Sequence, residues 1–126
     1  EYYYEPIGYL EADDCEVINF ESLSTKITIF DKIRQWGEDR NFYGHEGATI
    51  QSQFVKLAEE MGELAGNIAR GKDCTDDIGD MIVVLTHIAK LQGKTVEECI
   101  EHSYNDIKDR KGKFINGSFI KESDLK

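Results

Sequence analysis

No apolar run in this chain is longer than five residues, Met81 to Leu85. A membrane-spanning helix needs about 20, so none is expected, and the N-terminus carries no signal-peptide pattern. Cysteine is sparse. Cys15, Cys74 and Cys99 are odd in number, widely spaced and without a CxxC. That argues against a disulfide framework or a zinc site and fits a reducing cytoplasm. The three read as small, partly buried side chains. Basic charge is also short: 15 Lys and Arg against 25 Asp and Glu, net −10. A duplex-DNA binder needs a basic surplus, so nucleic acid is not an expected partner.

What remains is an ordinary globular composition, 40% hydrophobic and 32% charged over 126 residues. It suits one domain with an appendage. The charge is unevenly spread. Residues 1–25 hold seven acids and no Lys or Arg, which leaves only −3 of the −10 for residues 26–126. Residues 1–24 also hold Tyr2, Tyr3, Tyr4, Tyr9 and the single proline, Pro6. They read as an extended, acidic, tyrosine-rich arm, followed by a domain over 25–126.

From Thr25 onward the apolar period is helical. Ile29, Ile33 and Trp36 give a helix over 26–40. Gly44 and Gly47 mark a loop over 41–48. Ile50, Phe54, Leu57, Met61, Leu64 and Ile68 step by four and three, which predicts a buried stripe on a helix over 49–70. Gly71 ends it. Asp73 can cap a third helix over 74–92 with the stripe Ile78, Ile82, Leu85, Ala89. Thr95 and Glu98 form a capping box for a fourth over 96–110. Asn116-Gly117 between Phe114-Ile115 and Phe119-Ile120 predicts a small hairpin with a type I′ turn. The fold class expected is all-α: an antiparallel four-helix bundle with a C-terminal hairpin and the N-terminal arm.

The chemistry-bearing residues lie on the second and third helices. Residues three apart share a helix face. Glu60 and Glu63 therefore project together, as do Asp77 and Asp80. If the two helices fold back antiparallel about residue 70, Glu63 and Asp77 share an index sum of 140, as do Glu60 and Asp80. The pairs then stand level across the interface. Four converging carboxylates repel one another, and a hard divalent cation, Mg²⁺ or Mn²⁺, relieves the repulsion and in turn binds phosphate oxygens. The plainer reading is a solvated acidic face. Against it, the acids flank the apolar stripe, and Lys56 stands N-terminal to Glu60, the poorer orientation for a helical ion pair. A calcium loop from Asp73 fails, because Ile78 stands where Gly is needed and Val84 where Glu is needed.

A polar line Gln53, Lys56, Glu60, Glu63, Asn67 runs beside the stripe. Lys108, Arg110, Lys111 and Lys113 cluster at the end of the fourth helix, placed to screen a polyphosphate or to complement the helix dipole.

Gln53-x-x-Lys56-Leu57-x-Glu59-Glu60-x-x-Glu63, thirteen residues, then Asp77-x-x-Asp80 resembles the EExxE…ExxD signature of MazG-like nucleoside triphosphate pyrophosphohydrolases. These belong to the all-α NTP pyrophosphatase superfamily. The stretch Tyr104 to Lys113 is similar to the ending of single-domain, often phage-borne members. The resemblance covers residues 26–124. It implies an oligomeric helical enzyme, a tetramer or a dimer, that uses Mg²⁺ to hydrolyse a nucleoside triphosphate to the monophosphate and pyrophosphate. Its metal ligands fall on Glu60, Glu63, Asp77 and Asp80. The family usually has Glu where this chain has Asp77, one methylene shorter. Glu59 is a candidate base. Lys56, Asn105, Arg110 and Lys111 are candidate contacts to phosphate or sugar, and Trp36 is a candidate for stacking on the base, against a plain role in core packing. The rival expectation is a nucleotide-sensing module without turnover; a structural helical protein that uses its acid face for a partner is a second.

Overall fold

The computed structural model describes residues 26–125. The expected arm over 1–24 lies outside the described residues. The chain is mostly helical: α1 Ile29–Asp39, α2 Ile50–Ala69, α3 Thr75–Leu91 and α4 Val96–Ile107, followed by β1 Gly112–Ile115 and β2 Ser118–Lys121 and a short 3₁₀ turn, Glu122–Asp124. No helix among the described residues is long and apolar enough to cross a membrane.

Local chemistry sets the helix starts. Thr28 with Asp31, Thr49 with Ser52 and Thr95 with Glu98 form reciprocal caps, each satisfying backbone donors that the first turn leaves open. Only the last was expected from the sequence. α3 begins differently. Its cap position is Cys74, whose side chain makes no cap bond, while Asp73 Oδ2 accepts from the Thr75 N–H at 3.2 Å. Gly71 and Gly93 follow α2 and α3 with φ of +67° and +75°, which only glycine adopts at little cost. The expected hairpin is present. Asn116 and Gly117 both have positive φ, 52° and 83°, as a type I′ turn requires, and Phe114 lies opposite Phe119 with ring centroids 5.5 Å apart.

α3 is the hub. Its chief packing partner is α2, with α1 and α4 also resting on it. The fully buried apolar side chains among the described residues are Val84 and Ala89 of α3 and Val96 of α4. This corrects the expected core. Phe54, Met61 and Ile68 of the α2 stripe stay 51–62% exposed, and Ile78 of α3 is 54% exposed. The inward line on α2 is instead Gln53, Leu57, Glu60, Leu64, Asn67, and on α3 it is Asp77, Met81, Val84, Ile88. On α3 the inward line lies one residue before the expected stripe, a rotation of about 100°; on α2 Leu57 and Leu64 belong to both lines, and the shift is about half as large.

Two polar contacts tie distant segments. Arg34 donates both terminal nitrogens to Glu97, at 2.7 Å each, and one of them also to Asp31 at 2.9 Å. The Arg34 guanidinium holds the Glu97 carboxyl below its ordinary value. Asp31 is also held low, first by the Thr28 backbone N–H and then by Arg34. A lowered folded-state value stabilises the fold above the unfolded value, and the gain is lost as pH falls through the folded one. Arg34→Met should therefore cost about 2 kcal/mol at neutral pH, discounted because Glu97 still reaches water. The variant should lose less stability than wild type on acidification below pH 4.5, the ordinary glutamate value. Urea midpoints at pH 7 and pH 4 check both.

The second contact is Tyr43 Oη to His87 Nδ1 at 2.6 Å. His87 is 2% exposed and sits among Trp36, Phe42 and Tyr43, with its Nε2 buried and unpartnered. Burial pushes the imidazole below its ordinary value. A depressed base binds fewer protons than in the unfolded chain, so stability falls as pH drops through 6.5 toward the folded value. His87→Phe should flatten that slope, read as urea midpoints between pH 7.5 and pH 5.

Candidate metal centre

α2 and α3, packed on each other and joined by a five-residue connection, carry the acids. Asn67 Nδ2 donates to Asp77 Oδ2 at 2.8 Å, which fixes the register. The index sum there is 144, not 140, because the connection runs over residues 70–74 and is centred on residue 72. Glu63 is then closest in height to Asp80. Glu60 and Asp77 lie about one turn away on opposite sides, about 5 Å each by helical rise. The level tetrad expected from the sequence is thus staggered. Among the described residues, no three His, Cys, Asp or Glu side chains share one ion-sized site as they stand.

Two of the four acids point inward. Glu60 is 6% exposed and Asp77 5%. Asp77 is satisfied by Asn67. Glu60 is satisfied on one oxygen only: Lys56 Nζ lies 3.4 Å from Oε2, while Oε1 is buried without a partner. A carboxylate oxygen without a donor is costly in a helix interface. Glu63 is exposed and Asp80 half-buried, so this pair opens to solvent beside the buried pair. The donor set is all carboxylate oxygen, which suits Mg²⁺ or Mn²⁺.

Lys56 pairs better than its orientation on the helix promised. It bridges Glu60 and Glu59, at 3.4 and 3.7 Å, and the Glu60 carboxylate raises the Lys56 amine above its ordinary value. Glu59 is exposed and takes part only in this contact. Asp76, adjacent to Asp77, is exposed on the first turn of α3.

The remaining candidates fall into two places. Trp36 stacks on His87, with centroids 5.9 Å apart, and Arg40 lies 4.4 Å over its ring. It also lines a cavity of about 330 Å³ with Lys32, Ile33 and Val83. Val83 follows Asp80 by three residues on α3, so this cavity begins one turn from the acids. Asn105, Arg110 and Lys111 line a separate shallow cavity of about 470 Å³ at the end of α4, where Arg110 pairs with Asp106 at 3.6 Å. No described contact joins that basic end to the carboxylates. The Tyr43–His87 pair went unread in the sequence, because its members stand 44 positions apart and His87 lies among apolar residues.

Over 60 residues the chain is 48% identical to an uncharacterised 18.2 kDa protein encoded between rep and hol in Haemophilus phage HP1. The matched stretch covers 46% of this chain and 36% of that protein. No family model matches the chain, and no solved structure matches it.

Proposed function

We propose that this protein is a Mg²⁺-dependent pyrophosphohydrolase that cleaves a nucleoside or deoxynucleoside triphosphate to the monophosphate and pyrophosphate. The supporting observation is Glu60: a carboxylate 6% exposed between two helices, with one oxygen unpartnered. Such a group fits a cation better than it fits packing. The signature residues place Glu63, Asp77 and Asp80 on the same helix pair, and the phage relative accords with a phage-borne type. The same reading takes the helices as an antiparallel bundle, the active form as a homo-oligomer, tetramer or dimer, and the cytoplasm as its compartment.

In this mechanism Glu60, Glu63, Asp77 and Asp80 would hold Mg²⁺, which would supply neutralisation of phosphate charge and a water of lowered pKa. Glu60 and Asp77 would be the buried donors, and Glu63 and Asp80 the solvent-side ones. Lys56 neutralises Glu60 and can turn toward a phosphate oxygen. Glu59, exposed beside Lys56, can accept a proton from water. Trp36 shares its cavity with Val83, which follows Asp80 by one turn on α3, and offers a ring for the base. Asn105, Arg110 and Lys111 reach the phosphates only from a neighbouring subunit or after movement of the α4 end.

The test is pyrophosphate release from a panel of ribo- and deoxyribonucleotides, with and without Mg²⁺. Release from at least one triphosphate, abolished by EDTA, is the expected result. Binding without release, seen by calorimetry, would establish the sensing alternative instead.

A further inference from the structure

We infer that residues 1–25 of this chain cover the aromatic face and basic rim of the C-terminal hairpin. Such a contact lies within one chain, needs neither metal nor nucleotide, and stands whether or not the proposed function does.

The helices leave the hairpin bare. An isolated two-stranded hairpin is marginal in water and gains stability from a third strand or from a helix packed on it. Beyond the pairing of β1 with β2, its principal contact among the described residues is the 3₁₀ turn, Glu122–Asp124. The sheet has these two strands alone, so both edges are open among the described residues. All of β1 is exposed, and so is all of β2 except Ile120. Phe114 lies opposite Phe119, which puts both rings on one face. Phe114, at 72%, is the most exposed large apolar side chain among the described residues, and Phe119 is 45% exposed. Lys121 shares their face, two positions along the strand.

Positive charge surrounds these rings. Residues 108–121 hold five Lys or Arg and one acid, Asp109, with Glu122 and Asp124 following on the 3₁₀ turn. Arg110 pairs with Asp106 at 3.6 Å. Among the described residues, no acid lies within salt-bridge distance of Lys108, Lys111, Lys113 or Lys121. On the helices the cations are better matched: Arg34 meets Glu97, Lys56 meets Glu60 and Lys90 meets Glu38. This end of the fold therefore presents exposed rings inside a rim of lysines, a combination that marks an interaction site for an acidic, partly apolar partner.

Charge, composition and reach identify the occupant. Residues 1–25 hold seven acids and no Lys or Arg. Five of the acids fall between Glu11 and Glu21, interleaved with Val17, Ile18 and Phe20. Tyr2, Tyr3, Tyr4 and Tyr9 add rings that suit Phe114 and Phe119. Glu11 stands fifteen positions before Lys26. That length spans up to about 50 Å, more than the roughly 35 Å breadth of a 100-residue domain. An outside polyanion would have to approach a chain of net −10. Both it and a second copy would compete with a tethered segment whose effective concentration is on the order of millimolar.

The experiment is carbodiimide coupling of the full chain, which joins a carboxylate to an amine only where the two touch, read by mass spectrometry after digestion. Acids between Glu11 and Glu21 should couple chiefly to Lys111, Lys113 or Lys121. When isotope-labelled and unlabelled protein are refolded together, each coupled pair should be all heavy or all light. In about 0.5 M salt, where the Debye length falls to about 4 Å, coupling should drop several-fold. Coupling mainly to the lysines of α1–α3, no coupling, or mixed heavy–light pairs from a second copy would overturn the inference. A second readout uses the joint variant Glu11→Gln, Asp13→Asn, Asp14→Asn, Glu16→Gln, which leaves residues 26–126 untouched. Backbone amides of residues 112–121 should exchange about tenfold faster in this variant than in wild type, and equal rates would overturn the inference. A fluorescent single-stranded oligonucleotide should not bind wild type; micromolar binding would assign the face to nucleic acid and overturn it as well.

Discussion

Glu60→Gln should leave the helices folded and lower Mg²⁺-dependent pyrophosphate release by about 10²–10³-fold. The substitution keeps the shape and volume of a side chain that is 6% exposed, so packing is preserved. It removes the negative charge and offers the buried position a neutral amide. A second readout separates a ligand from a merely placed residue. A cation at a hundred times its Kd adds about 2.7 kcal/mol to the folded state, which in a chain of this size raises Tm by several degrees. Wild type should show that Mg²⁺-dependent rise and Glu60→Gln should not. Lys56 loses the nearer of its two charge partners in the variant and keeps Glu59, so its amine should move part of the way back toward the ordinary lysine value. Near wild-type turnover by Glu60→Gln would remove Glu60 from the ligand set.

The second large effect is a contrast between neighbours. Asp77→Asn should reduce turnover by a similar factor, and Asp76→Asn should leave it within twofold. The two residues are adjacent on α3 but point about 100° apart. Asp77 is 5% exposed and accepts from Asn67 across the α2–α3 interface. Asp76 is exposed at the helix start, where a negative charge favours the N-terminal dipole. Its loss should cost about 0.3–1 kcal/mol of stability and nothing in catalysis. Initial rates and urea midpoints on both variants check this. The opposite kinetic ranking would mean that α3 presents its other face to the substrate.

Much of the architecture was readable from the residues. Helix number, the loop around Gly44 and Gly47, the Thr95–Glu98 cap and the Asn116-Gly117 turn all depend on local chemistry, and each is present. The inward face of α2 was not readable. Phe54, Met61 and Ile68 form as good a stripe as any buried one, and periodicity locates an apolar line without naming what packs on it. Burial of Glu60 in place of Met61 follows from the approach of α3, a tertiary fact. The height of the acids failed for a smaller reason. The expected fold point is residue 70, whereas the connection runs over residues 70–74 and is centred on residue 72, and two residues at the mirror point shift the facing positions by four. Lys56 pairs with Glu60 against its helical preference because Glu60 is pulled from water, which strengthens the attraction.

The missing side-chain cap on α3 has a consequence for how the chain folds. α1, α2 and α4 each begin at a reciprocal cap, a signal that acts within four residues and before any tertiary contact exists. α3 begins at Cys74 without one, and yet it is the helix on which the other three rest. Three helices with reciprocal caps thus wait on one whose local start signal is the Asp73–Thr75 contact alone. Docking of α2 on α3 across their five-residue connection, a closure of short sequence separation, should then limit the rate, and folding should be fast. Substitutions on the inward α2–α3 lines should therefore slow folding, and substitutions at the Arg34–Glu97 tie should mainly speed unfolding.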